Sequence, residues 1–219
     1  MKKIFFALAV LTCAVSQLSC KKDKKEEEDI TPMFQNKIWT GEMKYENTPV
    51  SEPFSLTFDG LGKLTMEERS GTSNGVYSTD KASNSITIQL VKGTFKAVIS
   101  NKRFSTITYI GTYPWSIKSG ELNEEIPVLT NTVYKGTQMV PPNTQQPWQL
   151  RFVSDTKFNL NEGVDNFPYT RSGVNIRLEF VNSGYYFVLQ PHNKIKGIFW
   201  DFFSNPGVSI FRSYDLTKQ

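Results

Sequence analysis

Cysteine and histidine are nearly missing from this 219-residue chain, which has two cysteines, Cys13 and Cys20, and one histidine, His192. A zinc site needs three or four protein ligands, and a nucleophilic triad needs a base held by a third group. His192, in the turn Gln190-Pro191-His192-Asn193-Lys194, has no such company and reads as an exposed loop residue. Past the N-terminal segment no stretch keeps helical periodicity for three turns. Gly-x-Gly-x-x-Gly and P-loop patterns do not occur, so no nucleotide-binding signature is present. Charge of one sign is also scarce: 25 Lys+Arg stand against 21 Asp+Glu, and without Lys2 and Lys3 the balance is 23 to 21. A nucleic-acid binder shows a clustered basic face, and none is seen here. The acids Glu67-Glu68, Glu124-Glu125, Asp59, Asp80, Asp155, Asp165 and Asp201 lie mostly in turn-like or wet stretches, where solubility and turn formation account for them. Glycoside hydrolysis would need two of them facing each other across one cleft. The expectation is a chain with no catalytic residue, metal or cofactor and no nucleic-acid partner.

The N-terminus is informative. Lys2 and Lys3 precede an uncharged, mainly apolar run over residues 4–15. A spanning helix needs about 20 apolar residues, so this run fits the core of a secretory signal instead. It leads to Leu18-Ser19-Cys20, which resembles a lipobox, with Cys20 acylated and first in the mature chain. An ordinary cleaved signal with an incidental cysteine is the other reading. If Cys13 leaves with the signal and Cys20 carries lipid, no thiol remains for a disulfide, and the fold rests on its core alone. Residues 21–30, KKDKKEEEDI, hold almost no apolar surface and read as a solvated tether. The expected organisation is a lipoprotein signal peptide at 1–19, a lipidated charged tether at 20–32, and β-domains at 33–126 and 127–219.

The folded part repeats itself. Gly41 in "IWTGEMKY" matches Gly136 in "VYKGTQMV", and Phe54, Leu56, Phe58, Leu64 and Met66 match Trp148, Leu150, Phe152, Phe158 and Leu160. Further on, Ile86, Ile88 and Leu90 match Ile176, Leu178 and Phe180, and Phe95, Ala97 and Ile99 match Tyr185, Phe187 and Leu189. The offset drifts from 95 to 90 only across turns. Apolar positions kept in phase while turns vary mark a duplicated unit. Within each copy the period is two, as in Val174, Ile176, Leu178 and Phe180 against Asn175, Arg177 and Glu179, so each strand buries one face and wets the other. Turn residues stand at Asp59-Gly60, 71–75, Lys92-Gly93, Ser172-Gly173, 182–184 and 205–207. Each copy predicts six to eight antiparallel strands of about five or six residues, closed into a small barrel that removes its edges. Transmembrane barrel strands need about 9–11 residues. Two lobes joined by a linker at 123–131 are expected ahead of one fused barrel.

The Trp39-Thr40-Gly41 opening and the Phe54-x-Leu56-x-Phe58 hairpin with Asp59-Gly60 at its turn resemble the tandem lipocalin-like domains of Bacteroidota lipoproteins. The resemblance implies an all-β fold of two tandem antiparallel meander β-barrels of lipocalin or calycin type, and it carries over no binding residue. The charged segment after Cys20 is similar to the surface-export signals of that group. It implies an outer-membrane lipoprotein displayed at the cell surface, with a periplasm-facing one as the other reading.

One stretch breaks the alternation. "GIFWDFF" (197–203) carries Phe199, Trp200, Phe202 and Phe203 on both faces, and its counterpart "GTYPWSI" carries Tyr113 and Trp115. Either one face fills a barrel while the other packs on the sister lobe, or these six aromatics form a ligand-binding surface. The function expected is a non-catalytic binding module held to the membrane by its lipid, with a glycan, a protein or a small apolar molecule as partner. The alternative is a small-barrel protease inhibitor, inserting a segment that includes "ITPMFQN", or a structural envelope component.

Overall fold

Inward and outward positions alternate along nearly every strand of the computed structural model, which describes residues 29–110, 115–161, 163, 165–202 and 209–219. The signal segment, Cys20, most of the tether, Tyr113 and Phe203 lie outside the described residues. In the first copy β1 (Ile38–Tyr45), β2 (Glu52–Phe58), β3 (Lys63–Glu68), β4 (Gly71–Asp80), β5 (Ser85–Leu90), β6 (Gly93–Ser100), β7 (Arg103–Ile110) and β8 (Trp115–Asn123) pair in order and close into a barrel. The second copy holds β9 (Thr132–Val140), β10 (Thr144–Ser154), β11 (Lys157–Leu160), β12 (Phe167–Pro168), β13 (Thr170–Ser172), β14 (Asn175–Glu179), β15 (Ser183–Gln190), β16 (Lys194–Asp201) and β17 (Ile210–Lys218). Here β17 returns to β9, and the sheet ends at β12 and β13.

Those two short strands are halves of one segment, the counterpart of β4. The first half pairs with β11 and the second with β14. Pro168 has no N–H to give a ladder, and Tyr169 between the halves turns its ring inward, 5.5 Å from both Phe152 and Phe158. The second barrel is therefore nearly closed, and the fold is two tandem antiparallel meander barrels, not one fused barrel.

The strands run longer than the five or six residues expected, up to 11 in β10. Hydrogen-bonded pairing continues past the apolar stretches. β4 shows why: Gly71–Asp80 has no buried residue, yet it is a ten-residue strand between β3 and β5. Residues 71–75, expected as a turn, begin this strand, because a ladder needs backbone partners and not apolar side chains.

The repeated glycine has a physical reason. A Cβ on Gly41 would stand 2.1 Å from the Ser119 carbonyl oxygen, and one on Gly136 would stand 2.0 Å from that of Asp215. Each closes its barrel by letting the first strand approach the last. Gly41→Ala and Gly136→Ala should each cost about 3 kcal/mol, read as a lowered urea midpoint. A loss under about 1 kcal/mol at either site would show that the ladder yields easily.

Both barrels hold their apolar side chains inside, as in the buried Phe54, Leu56, Met66, Ile88 and Phe95 of the first and Leu150, Phe158, Ile176, Phe187 and Leu216 of the second. Each such burial contributes roughly 1.5–3 kcal/mol. Polar residues mostly face out, the reverse of the alternation in a transmembrane barrel. The N-terminal segment belongs to the first barrel. A 3₁₀ turn at Thr31–Met33 leads Phe34 into the interior, where its ring stacks on Trp39 at 4.8 Å, and Trp39 stacks on Phe104 at 4.8 Å. Ile30, placed in the tether by sequence, is 1% exposed.

The barrels pack side by side through β1, β2 and the β3–β4 hairpin on one side and β14–β17 on the other. Ile38 and Val50 of the first copy join the second core. The Arg177 guanidinium donates to the carbonyls of Arg69, at 3.1 Å, and Glu68. The Tyr186 hydroxyl donates to the Glu67 carbonyl at 3.0 Å. These bonds satisfy backbone groups that the contact takes out of water.

Candidate functional site at the junction of the barrels

Where the barrels meet, three chain segments frame a cleft of about 790 Å³. They are the β6–β7 hairpin (100–105), the end of β8 with the start of the linker (121–127), and the β15–β16 hairpin (190–193). Local chemistry shapes the two hairpins. Asn101 and Lys102 both adopt left-handed backbone, with φ of 50° and 60°, as the two-residue turn matching strand twist requires. His192 and Asn193 do the same at 61° and 58°.

The walls are charged and amide-bearing. Glu121 accepts from Arg103 at 2.9 Å and lies 3.0 Å from His192 Nε2, so one carboxylate ties a turn of each barrel together. Lys102 donates to both oxygens of Glu124 at 2.8 Å, and this contact holds the Glu124 carboxyl below its ordinary range. Asn123 Nδ2 donates to the Leu189 carbonyl at 2.8 Å across the junction. Gln190 places its amide nitrogen in a buried position without a partner. Beneath lie Phe104 and Leu122, both buried. The arrangement can hydrogen-bond a polar ligand over an apolar floor. His192 is exposed, as expected, and spans the junction.

The aromatics read from sequence as a binding surface do not form one among the described residues. Trp115 is 4% exposed, packed inside the first barrel 6.0 Å from Tyr109. Trp200 is 8% exposed and faces the first barrel, with the Arg69 guanidinium 5.8 Å from its ring. Phe199 points into the second barrel, 4.8 Å from Tyr185. Phe202 is the most exposed of the four, at 39%, and it too lies beside Arg69, 5.9 Å away. β16 therefore fills its barrel with one face and packs on the sister lobe with the other. Sequence reading missed Arg103, Gln190 and Asn193. The signal available was the Asn101-Lys102 pair, a two-residue turn that aims its flanking side chains at the barrel end.

Several of the acids hold turns or ion pairs. Asp59 accepts from the amides of Leu61 and Lys63 at 2.8 and 2.7 Å. Glu68 is bonded to Tyr45, Ser70 and Lys92. Glu52, fully buried, is clasped by Arg69 through bonds of 2.9 and 3.2 Å. Burial pushes its carboxyl above the ordinary range, and Arg69 pulls it back.

No family model matches the chain, and neither the curated proteins nor the solved structures hold a match. Fold and site together define a tandem pair of eight-stranded meander units with a polar junction cleft.

Proposed function

We propose that this chain is an outer-membrane lipoprotein, anchored through Cys20 and displayed at the cell surface, that binds a glycan without catalysis in the cleft between its barrels. The observation that carries the reading is the cleft itself, about 790 Å³ with walls from both copies. Amides and charged groups at Asn101, Arg103, Gln190 and Asn193 offer donors and acceptors to sugar hydroxyls, and Phe104 and Leu122 offer an apolar floor. Such a lining suits a sugar better than a wholly apolar molecule. The inhibitor reading has less behind it, since "ITPMFQN" is folded onto the first barrel, with Phe34 fully buried.

A glycan array followed by calorimetry with the chain from Lys21 tests this. Arg103→Ala with Gln190→Ala should weaken capture at least about tenfold, the loss of one or two hydrogen bonds. Capture of no glycan, or capture indifferent to both substitutions, would remove the proposal. Acyl mass on the mature N-terminus tests the anchor separately.

A further inference from the structure

The two barrels diverge inside at the end of β9 and the start of β17. In the first barrel Met43 pairs across with Ile117, and Tyr45 with Trp115. In the second, Gln138 pairs with Tyr214. One step further along the same ladder, where the first barrel has Trp115, the second has Arg212, on the inward face of β17 with Tyr214 and Leu216. An apolar stopper has become a set of donors.

Two of those donor atoms have no acceptor among the described residues. The Arg212 Nε and the Gln138 Nε2 are both buried without a hydrogen-bond partner. No carboxylate among the described residues forms an ion pair with Arg212. Its guanidinium lies 5.7 Å from the centre of the Phe199 ring. Arg212 and Tyr214 stand about 7 Å apart along one strand face. The neighbouring rings are apolar bodies with polar tips: Trp148 is 4.3 Å from Tyr214, and Tyr185 is 6.1 Å from it. Burial holds both tyrosines in the neutral, donating form, with pKa values pushed up. A buried donor without an acceptor destabilises the fold; Gln138 is 4% exposed, and Arg212 is half-buried with its Nε inside. Residues that cost stability and fill no structural need are what a binding site leaves behind in the free protein.

We infer that this end of the second barrel binds a small organic anion, its carboxylate on Arg212 and Gln138 and its apolar body against Phe199 and Tyr185. The site is separate from the junction cleft and does not depend on it. A guanidinium and an amide N–H together match the two oxygens of a carboxylate. The first barrel, with Met43, Ile117 and Trp115 at these positions, has no such site.

The test uses the chain from Lys21 to Gln219, which keeps every described residue. Phenylacetate and decanoate are titrated against tryptophan fluorescence, with their methyl esters as controls. At least one acid should bind saturably and its ester at least about tenfold more weakly. Arg212→Met should abolish binding. Gln138→Met, which installs the first barrel's residue, should weaken it several-fold. Without ligand both variants should melt at or above the parent temperature, since each removes an unsatisfied group. Saturation by neither acid, equal binding of acid and ester, or acid binding that survives both substitutions overturns the inference. A marked fall in melting temperature for both variants also overturns it, because Arg212 and Gln138 would then be structural.

Discussion

Trp39→Ala should cost about 3–5 kcal/mol, the range for deleting a large aromatic from a packed core. Trp39 is fully buried, and its ring is the middle member of a stack, with Phe34 and Phe104 each 4.8 Å away. Its indole N–H donates to the Met33 carbonyl at 2.8 Å. The side chain therefore holds the N-terminal turn in the barrel as well as filling it. Two measurements should move together: the urea midpoint should fall, and limited proteolysis should begin to cut near residues 31–36. Trp39→Phe keeps a ring in the stack and loses the hydrogen bond and part of the packed volume, which should cost about 1–3 kcal/mol. A Trp39→Ala loss below about 1 kcal/mol, or a terminal turn that stays protected, would mean the plug is held by something else.

Arg69→Ala should cost about 3–5 kcal/mol, because it leaves the Glu52 carboxylate buried and unpaired. Arg69 lies on the β3–β4 hairpin between that carboxylate and three rings of the other barrel, Trp200, Phe202 and Phe211, at 5.8, 5.9 and 5.4 Å. Removing both charges, as Arg69→Met with Glu52→Gln, should recover most of the loss, since a buried pair stabilises little over neutral groups of similar volume. The pH dependence has a definite sign. Glu52 has a folded-state pKa raised by burial. Such a carboxyl favours the folded chain below its unfolded pKa, and this contribution disappears as pH rises through the folded value. Loss of Arg69 raises the folded value further. The Arg69→Ala deficit should therefore be smaller near about pH 4 than near about pH 7. A pH-independent deficit, or no recovery in the double variant, would place the cost in lost aromatic contacts instead of the stranded carboxylate.

These two residues hold different things together. Trp39 belongs to one barrel, and its loss should lower the melting temperature without splitting the transition. Arg69 belongs to the contact between barrels, so its loss should uncouple them, and one thermal transition should become two. The junction cleft needs both barrels in place, whereas the interior of the second barrel does not. A glycan signal lost in Arg69→Ala beside an organic-anion signal retained would separate the two proposed sites.

Much of the architecture was readable without coordinates, and particular residues show why. Ile86, Ile88 and Leu90 alternate with polar neighbours, and all three are buried in β5; their counterparts Ile176 and Leu178 behave the same way in β14. Alternation is a local property of the chain, so composition and spacing reveal it. The Gly41–Gly136 match was visible as a repeat, though its reason, a carbonyl 2 Å from any Cβ, was not. β4 escaped because a ladder between two partners needs no apolar side chain.

The candidate site was barely legible. Arg103 and the Gln190–His192 stretch stand at hairpin ends far apart in sequence, and only the docking of the barrels brings them to one cleft. Trp200 looked like a contact surface because a strand apolar on both faces must be covered by something. Period-two patterning and the doubled unit determined the strands, their phase and the existence of two barrels. Tertiary packing decided what covers Trp200, which cation neutralises Glu52, and which donors inside the second barrel stay unpaired. Those outcomes depend on which distant side chains come within a few ångströms of each other, and no local pattern encodes that distance.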